Sequence, residues 1–209
     1  MPTPAKGGRY HHGDLRAALV DAAIDVIAER GLRGFSLAEA SRRLGVTTAA
    51  PYRHFADKDD LLAAVGVRAL EVFAATVAAE SRDADCPEQR LAAMARAYVR
   101  FAAEQRPLFE TLFSSGLDKS RYPELTRAWE PVDALLLVVD EICEGDAAAG
   151  KALADAVEAT AHGHAALLID GDYGQGAAAV ADAADMAASA TLALIAGRTA
   201  LHRPPDKRR

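Results

Sequence analysis

Apolar residues recur three and four positions apart along almost the whole chain, and almost nowhere do they alternate. That spacing lines one face of a helix, whereas a half-buried strand needs a period of two. Leu15, Leu19, Ala23 and Val26 form the first stripe, closed by Gly31. Ser36-Leu-Ala-Glu39 reads as a capping box, with the serine accepting from the backbone at Glu39 and the Glu39 carboxylate reaching back. The short helix it opens ends near Gly45, and Thr47 is expected to cap the next. Asp57 to Asp60 open a long helix carrying Leu61, Val65, Ala69, Val72 and Thr76. Further stripes follow at Leu91–Phe101, Leu108–Phe113, Leu125–Cys143, Leu153–Leu168 and Val180–Leu194. The expectation is an all-α protein of about nine helices: a three-helix head and a helical bundle behind it.

Composition adds bounds. The chain has 209 residues, 51% hydrophobic and 26% charged, enough for a small head plus a larger body. No uninterrupted run of about 18 apolar residues appears, so no membrane span or membrane partner is expected. Residues 1–9 lack the apolar stretch of a signal peptide. Cys86 and Cys143 could pair on paper; two reduced, packed thiols of a cytoplasmic protein are the other reading. The net charge of −6 argues against nucleic acid until it is divided along the chain. Residues 1–60 hold nine basic and eight acidic residues, 61–197 ten and twenty-one, and 198–209 five and one. An acidic body behind a more basic head is compatible with a DNA reader.

The second and third expected helices are joined by a tight turn at Gly45-Val46, which is a helix-turn-helix arrangement. A helix entering a major groove must present small or hydrogen-bonding side chains near its start. Thr47, Thr48, Ala49, Ala50, Tyr52, Arg53 and His54 supply them. Threonine hydroxyls reach bases or phosphates, methyls meet the thymine methyl, and Tyr52 and His54 suit phosphate oxygens. Lys58 can bring an ammonium and a helix N-terminus to the backbone together. Pro51 removes one ladder bond, but in the first turns, where the loss is smallest. Read alone, this could still be two packed helices of any all-α protein.

The surrounding words are more specific. Tyr10-His-His-Gly-Asp-Leu15, Ala22-Ala23, Glu29-Arg-Gly31, Phe35-Ser-Leu-Ala-Glu39, Leu44-Gly-Val-Thr47, Ala50-Pro-Tyr-Arg-His-Phe55, Asp57-Lys58 and Leu61-Leu62 together closely resemble the tetracycline-repressor (TetR) family. The resemblance implies a dimeric, two-domain regulator of transcription, by family default a cytoplasmic repressor released from a palindromic operator by a small molecule. Residues 9–60 would form the DNA-binding domain, 61–203 the sensing and dimerisation domain, and 204–209 a basic tail. The DNA-binding residues it implies are Ser36, Thr47, Thr48, Ala49, Ala50, Pro51, Tyr52, Arg53, His54 and Lys58, with Tyr10 ahead of them. Arg106-Pro-Leu-Phe109 through Phe113 and His162-Gly163 resemble the subgroup with a Trp-His-Gly type C-terminal domain. Here the tryptophan a turn before His162 is missing: Glu158 and Ala159 stand there, and the one tryptophan is Trp129.

The remaining candidates carry two readings each. Tyr98, Phe101, Phe109, Phe113 and Trp129 are core, or core that also lines a small-molecule pocket with His164. His162 and His164 stand about 200° apart on a helix, so a shared metal is not expected; nor is any cofactor, beyond an unidentified effector. His11-His12 contact the DNA backbone or form a solvated arm. An enzyme built on His162, His164 or Asp170 finds no nucleophile–base motif, phosphate loop or metal spacing to support it. Alanine and glycine crowd the last two stripes, which suits a homodimer packed through them, or reflects only alanine's helix propensity.

Overall fold

The computed structural model describes residues 15–135 and 137–201, so the expectations for Tyr10, His11, His12 and the tail 204–209 lie outside the described residues. The order is α1 (Leu15–Gly34), α2 (Leu37–Leu44), a 3-10 turn at Pro51–Arg53, α3 (Lys58–Glu80), α4 (Pro87–Glu104) and α5 (Arg106–Ser114). A second 3-10 turn at Lys119–Arg121 precedes α6 (Pro123–Leu135), α7 (Leu137–Ile142), α8 (Ala147–Asp170), α9 (Ala177–Ala196) and α10 (Arg198–Leu201). No strand occurs among the described residues, and the fold is all-α as the periodicity requires. It differs in detail: the Leu125–Cys143 stripe is carried by two helices, α10 is added, and the third expected helix is only a turn.

The head consists of α1, α2, the first 3-10 turn and the start of α3. Gly31 breaks α1 as expected, with φ 67° and ψ 173°, values that favour a residue lacking Cβ. Leu19, Val26, Ile27, Phe35, Leu37, Ala40, Phe55, Leu61 and Val65 are buried together. Each large apolar side chain so buried contributes roughly 1.5–3 kcal/mol.

Helix α3 belongs to both parts. Its first turns close the head through Leu61, Leu62 and Val65, while Leu70, Phe73 and Val77 are buried further along it. Gly66 lets it press on α6: a Cβ there would meet Leu125 Cδ1 at 3.0 Å. Helix α5 packs on both α3 and α1, a second connection between head and body. In the body, α4 packs against α3, α7, α8 and α9. A separate cluster of Leu91, Val138, Val139, Ile142, Cys143, Leu153, Val157 and Ile195 fills the far end. Cys143 is buried in it and Cys86 half-buried; both are free thiols, and burial pushes the Cys143 thiol up from its ordinary range.

Among the described residues two helices meet the length and apolarity of a membrane span. By length and composition these are α3 and α9. Interspersed charges broke the uninterrupted run sought in the sequence. For α3 the apolar character serves the core it crosses, since 56% of its apolar stretch is buried; for α9 the share is 39%.

Candidate nucleic-acid interface and ligand cavity

The start of the reading unit is built from local contacts. Ser36 is extended, and its Oγ accepts from the Glu39 N–H at 3.2 Å, satisfying one orphan donor of α2. Only this half of the capping box forms, because the Glu39 carboxylate turns to Arg30 at 3.0 Å and to Arg42. At the other end Gly45 is left-handed, at φ 67° and ψ 24°. Its N–H donates to Arg42 O at 3.2 Å and that of Val46 to Ser41 O at 3.0 Å, which ends the helix and turns the chain.

The expected helix at Thr47 does not form as such. Pro51 has no N–H to donate to the Thr47 carbonyl, which accepts from Ala50 at 3.0 Å instead. The chain tightens into the 3-10 turn, and the N–H groups of His54 and Phe55 both donate to Pro51 O, at 2.8 and 2.9 Å. Thr47 thus takes part through its carbonyl and not as a side-chain cap, and the residue in the cap position is Ala50. Among the implied DNA contacts burial corrects Pro51, which faces the core; Ala50 is half-buried. Thr47, Thr48, Ala49, Tyr52, Arg53 and His54 are exposed, Tyr52 to 62%. Phe55 is 1% exposed and anchors the turn from beneath, with the Arg16 guanidinium 5.1 Å from its ring centre.

Much of the head's positive charge is already engaged. Arg43 reaches Glu29 at 2.7 Å and Asp25 at 3.2 Å, clamping α2 to α1; the Glu29 hydrogen bond leads in raising its guanidinium above the ordinary value. Lys58 lies 5.6 Å over the Phe35 ring and donates to Leu32 O at 3.3 Å. The helix N-terminus expected to assist it is partly occupied by its own carboxylates. Asp57 accepts from the Asp60 N–H and Asp60 from that of Ala56, each at 2.9 Å. Lys58 can offer a phosphate the remaining donors of its ammonium.

In the body, α3, α4, α5, α6 and α8 surround a cavity of about 230 Å³. Phe73, Leu91, Met94, Ala95, Tyr98, Phe113, Trp129, Ala154, Val157, Glu158 and Ala161 line it. Of the implied pocket residues, Tyr98, Phe113 and Trp129 do so. Phe101 and Phe109 are instead buried behind it, with ring centres 5.3 Å from Phe73 and 5.6 Å from Tyr98. The Tyr98 hydroxyl lies 2.8 Å from His162 Nδ1, a hydrogen bond whose donor depends on the imidazole tautomer. Burial, and then the charge of Glu158, push the Tyr98 phenol well above its ordinary range, so it stays protonated.

His164 is a correction. It sits on another side of α8, with Nδ1 3.0 Å from the Tyr173 hydroxyl, beside an open depression bounded by α9. His162 is the imidazole among the rings, 5.7 Å from the centre of Phe109 and 5.9 Å from that of Phe113. Glu158 and Phe73 were not anticipated. The available signal was helical phase: Glu158 and His162 are one turn apart on a single face.

Comparison with known proteins agrees with this geometry. Residues 19–65 match the family model described as bacterial regulatory proteins, tetR family, and residues 91–194 that of a tetracyclin repressor-like C-terminal domain. The HTH-type transcriptional regulator BetI of Burkholderia thailandensis is 32% identical over 165 residues, spanning 78% of this chain and 82% of that protein. BetI of Rhizobium meliloti is 32% identical over 171 residues, spanning 76% and 75%. Among solved structures, a protein of unknown function from Rhodococcus sp. RHA1 superposes with a TM-score of 0.70 at 27% identity, covering 90% of this chain and 98% of that one. The fold is also that of FadR from Bacillus subtilis, solved in complex with stearoyl-CoA, with a TM-score of 0.60 at 18% identity over 86% and 96% of the two chains. The chain belongs to the tetR family of bacterial regulatory proteins and is a DNA-binding regulator of transcription.

Proposed function

We propose that this regulator acts in the cytoplasm as a homodimer on a near-palindromic operator and is released by a small ligand held in the α3–α8 cavity. In this reading residues 9–60 bind DNA, and residues 61–203 sense the ligand and dimerise. Thr47, Thr48, Ala49, Tyr52, Arg53 and His54 face the groove and its phosphates, with Ser36 and Lys58 on the backbone. Tyr10 precedes them in sequence, and the segment 204–209 is basic. The observation that carries the proposal is the exposed Thr47–His54 surface, held on a buried Phe55 in a compact head. No enzymatic step and no cofactor are part of it.

Dimerisation draws support from α9. It carries no basic residue, and Met186 and Leu192 on it are exposed, as is Leu167 on α8. A second copy packed on α8 and α9 would cover these side chains, and small residues allow close approach. Two heads would then meet successive major grooves with centres about 34–36 Å apart. Helix α3 is the natural lever: from Lys58 at the head to Phe73 at the cavity it spans roughly 22 Å at 1.5 Å per residue. A ligand releases the operator only if it favours the conformer with misplaced heads, by a few kcal/mol.

Selection of bound fragments from genomic DNA at fixed salt, followed by footprinting, tests the proposal. The expected result is an inverted repeat protected on one face of the duplex. Binding without sequence preference, or no enrichment of any fragment, would refute it.

A further inference from the structure

The cavity has a charge character that its aromatic content alone does not convey. Four rings contribute to its wall: Phe73 from α3, Tyr98 from α4, Phe113 from α5 and Trp129 from α6. Leucine, methionine, valine and alanine supply the rest, except for one carboxylate, Glu158 on α8. Among the described residues no Lys, Arg or His lines the cavity, and no basic side chain lies within 4.0 Å of Glu158. Of the neutral polar groups of the wall, the Tyr98 hydroxyl is engaged with His162 and the Trp129 indole can only donate, so neither offers an anion a countercharge.

We propose that this cavity selects a ligand bearing one positive charge on an apolar body, a tertiary or quaternary amine with an aromatic or branched substituent. The faces of aromatic rings carry partial negative charge and attract a cation that has shed its water. Glu158 supplies the full countercharge at the exposed side of the cavity. An anion would meet Glu158 with no cation to offset it, and a neutral molecule would crowd the carboxylate and give nothing in return. At longer range, the acidic excess of residues 61–197 raises the local concentration of cations and lowers that of anions. The inference builds on the reading of this cavity as the effector site, but its binding step can be measured without DNA.

Trp129, the one tryptophan of the chain, stands in the cavity wall and reports occupancy by fluorescence. The full chain is titrated with benzyltrimethylammonium, with neutral tert-butyl benzyl ether and with anionic 3-phenylpropionate, at fixed pH and salt. The cation is expected to bind at least about tenfold more tightly than the ether, and the anion most weakly. E158Q should weaken the cation about fivefold or more and leave the ether bound at least as tightly as before. E71Q removes an equal charge on the exposed face of α3 and should do neither. Circular dichroism checks that both variants are folded. No binding of the cation, equal binding of all three probes, or an E158Q variant that binds the cation like the parent would each overturn the proposal. Gel shifts with the cation bound then test the effector role separately. Glu158-dependent binding that leaves DNA affinity unchanged would sink that role, and the charge selectivity would stand.

Discussion

Truncation of Phe55 separates the stability of the head from the reading of DNA. The ring is 1% exposed, lies beneath Arg16 and follows directly on the Pro51–Arg53 turn that carries the proposed reading surface. Removing a buried phenylalanine costs about 3–5 kcal/mol, through lost transfer energy and an unfilled cavity. Leu153 is 0% exposed in the distal cluster of the body, and its truncation costs about 2–5 kcal/mol. Both variants stay folded if the total stability lies above the lower end of the usual range of about 5–15 kcal/mol, which circular dichroism checks. With a urea slope near 2 kcal/mol/M, a loss of about 4 kcal/mol lowers the denaturation midpoint by about 2 M. Protomer concentration is held constant, because dimerisation would add to apparent stability. The two variants should differ in DNA binding. F55A frees the turn under Tyr52, Arg53 and His54 and should lose at least tenfold in operator affinity, about 1.4 kcal/mol. L153A should bind within about threefold of the parent in the same gel-shift series. F55L, which keeps most of the volume, should cost less than about 1.5 kcal/mol and recover binding. If F55A binds DNA as well as L153A does, Phe55 does not hold the reading surface and the account of that turn fails.

Other outcomes are expected. Y52A should leave thermal stability within about 0.5 kcal/mol, since the ring is exposed, yet weaken binding across related sequences by about two- to tenfold. Its salt dependence should match that of the parent, whereas R53A should reduce the slope by about 0.9 for each phosphate it no longer neutralises. S36A should lower the unfolding free energy by about 1 kcal/mol and S36G by only a few tenths; equal losses would show that the 3.2 Å bond to Glu39 N–H does not stabilise α2. Because burial raises the Tyr98 phenol in the folded state, the folded chain holds this proton more tightly than the unfolded one. The resulting stabilisation is fully present below the ordinary tyrosine value of 10.0 and fades as pH rises from there through the folded-state value. Unfolding free energies between about pH 9 and 11 should therefore fall less steeply for Y98F, and parallel curves would contradict the assignment. L192E, placed on the exposed face of α9, should shift sedimentation toward the monomer and weaken operator binding with it; an unchanged dimer would move the interface elsewhere.

Features governed by neighbours in sequence were legible in advance. The apolar period established an all-α chain, because it directs one face of each segment inward whatever that face meets. The stops at Gly31 and Gly45 and the caps at Ser36 and Asp57 depend on groups within about four residues, so local spacing was sufficient for them. Tyr52, Arg53 and His54, singled out by the helix-turn-helix arrangement and the family resemblance, are exposed. Pro51 is the instructive local exception. Its missing N–H was legible, but the outcome is a 3-10 turn with the ring facing inward, because the adjoining core accepts it beside Phe55.

What depends on the relative rotation of distant helices was settled only by packing. His162 and His164 are near neighbours in the chain, yet only the packing of α8 against α4 and α5 gives His162 to the rings and leaves His164 to Tyr173. Phe101 and Phe109 share stripes with Tyr98 and Phe113, and the same rotation turns them behind the cavity. Phe73 and Glu158 stand far apart in sequence and meet at one cavity because α3 and α8 flank the same helix, α4. Helical periodicity states which residues share a face, but not which faces meet, and in this protein the proposed DNA-reading turn draws mainly on the first kind of information and the cavity of the body on the second.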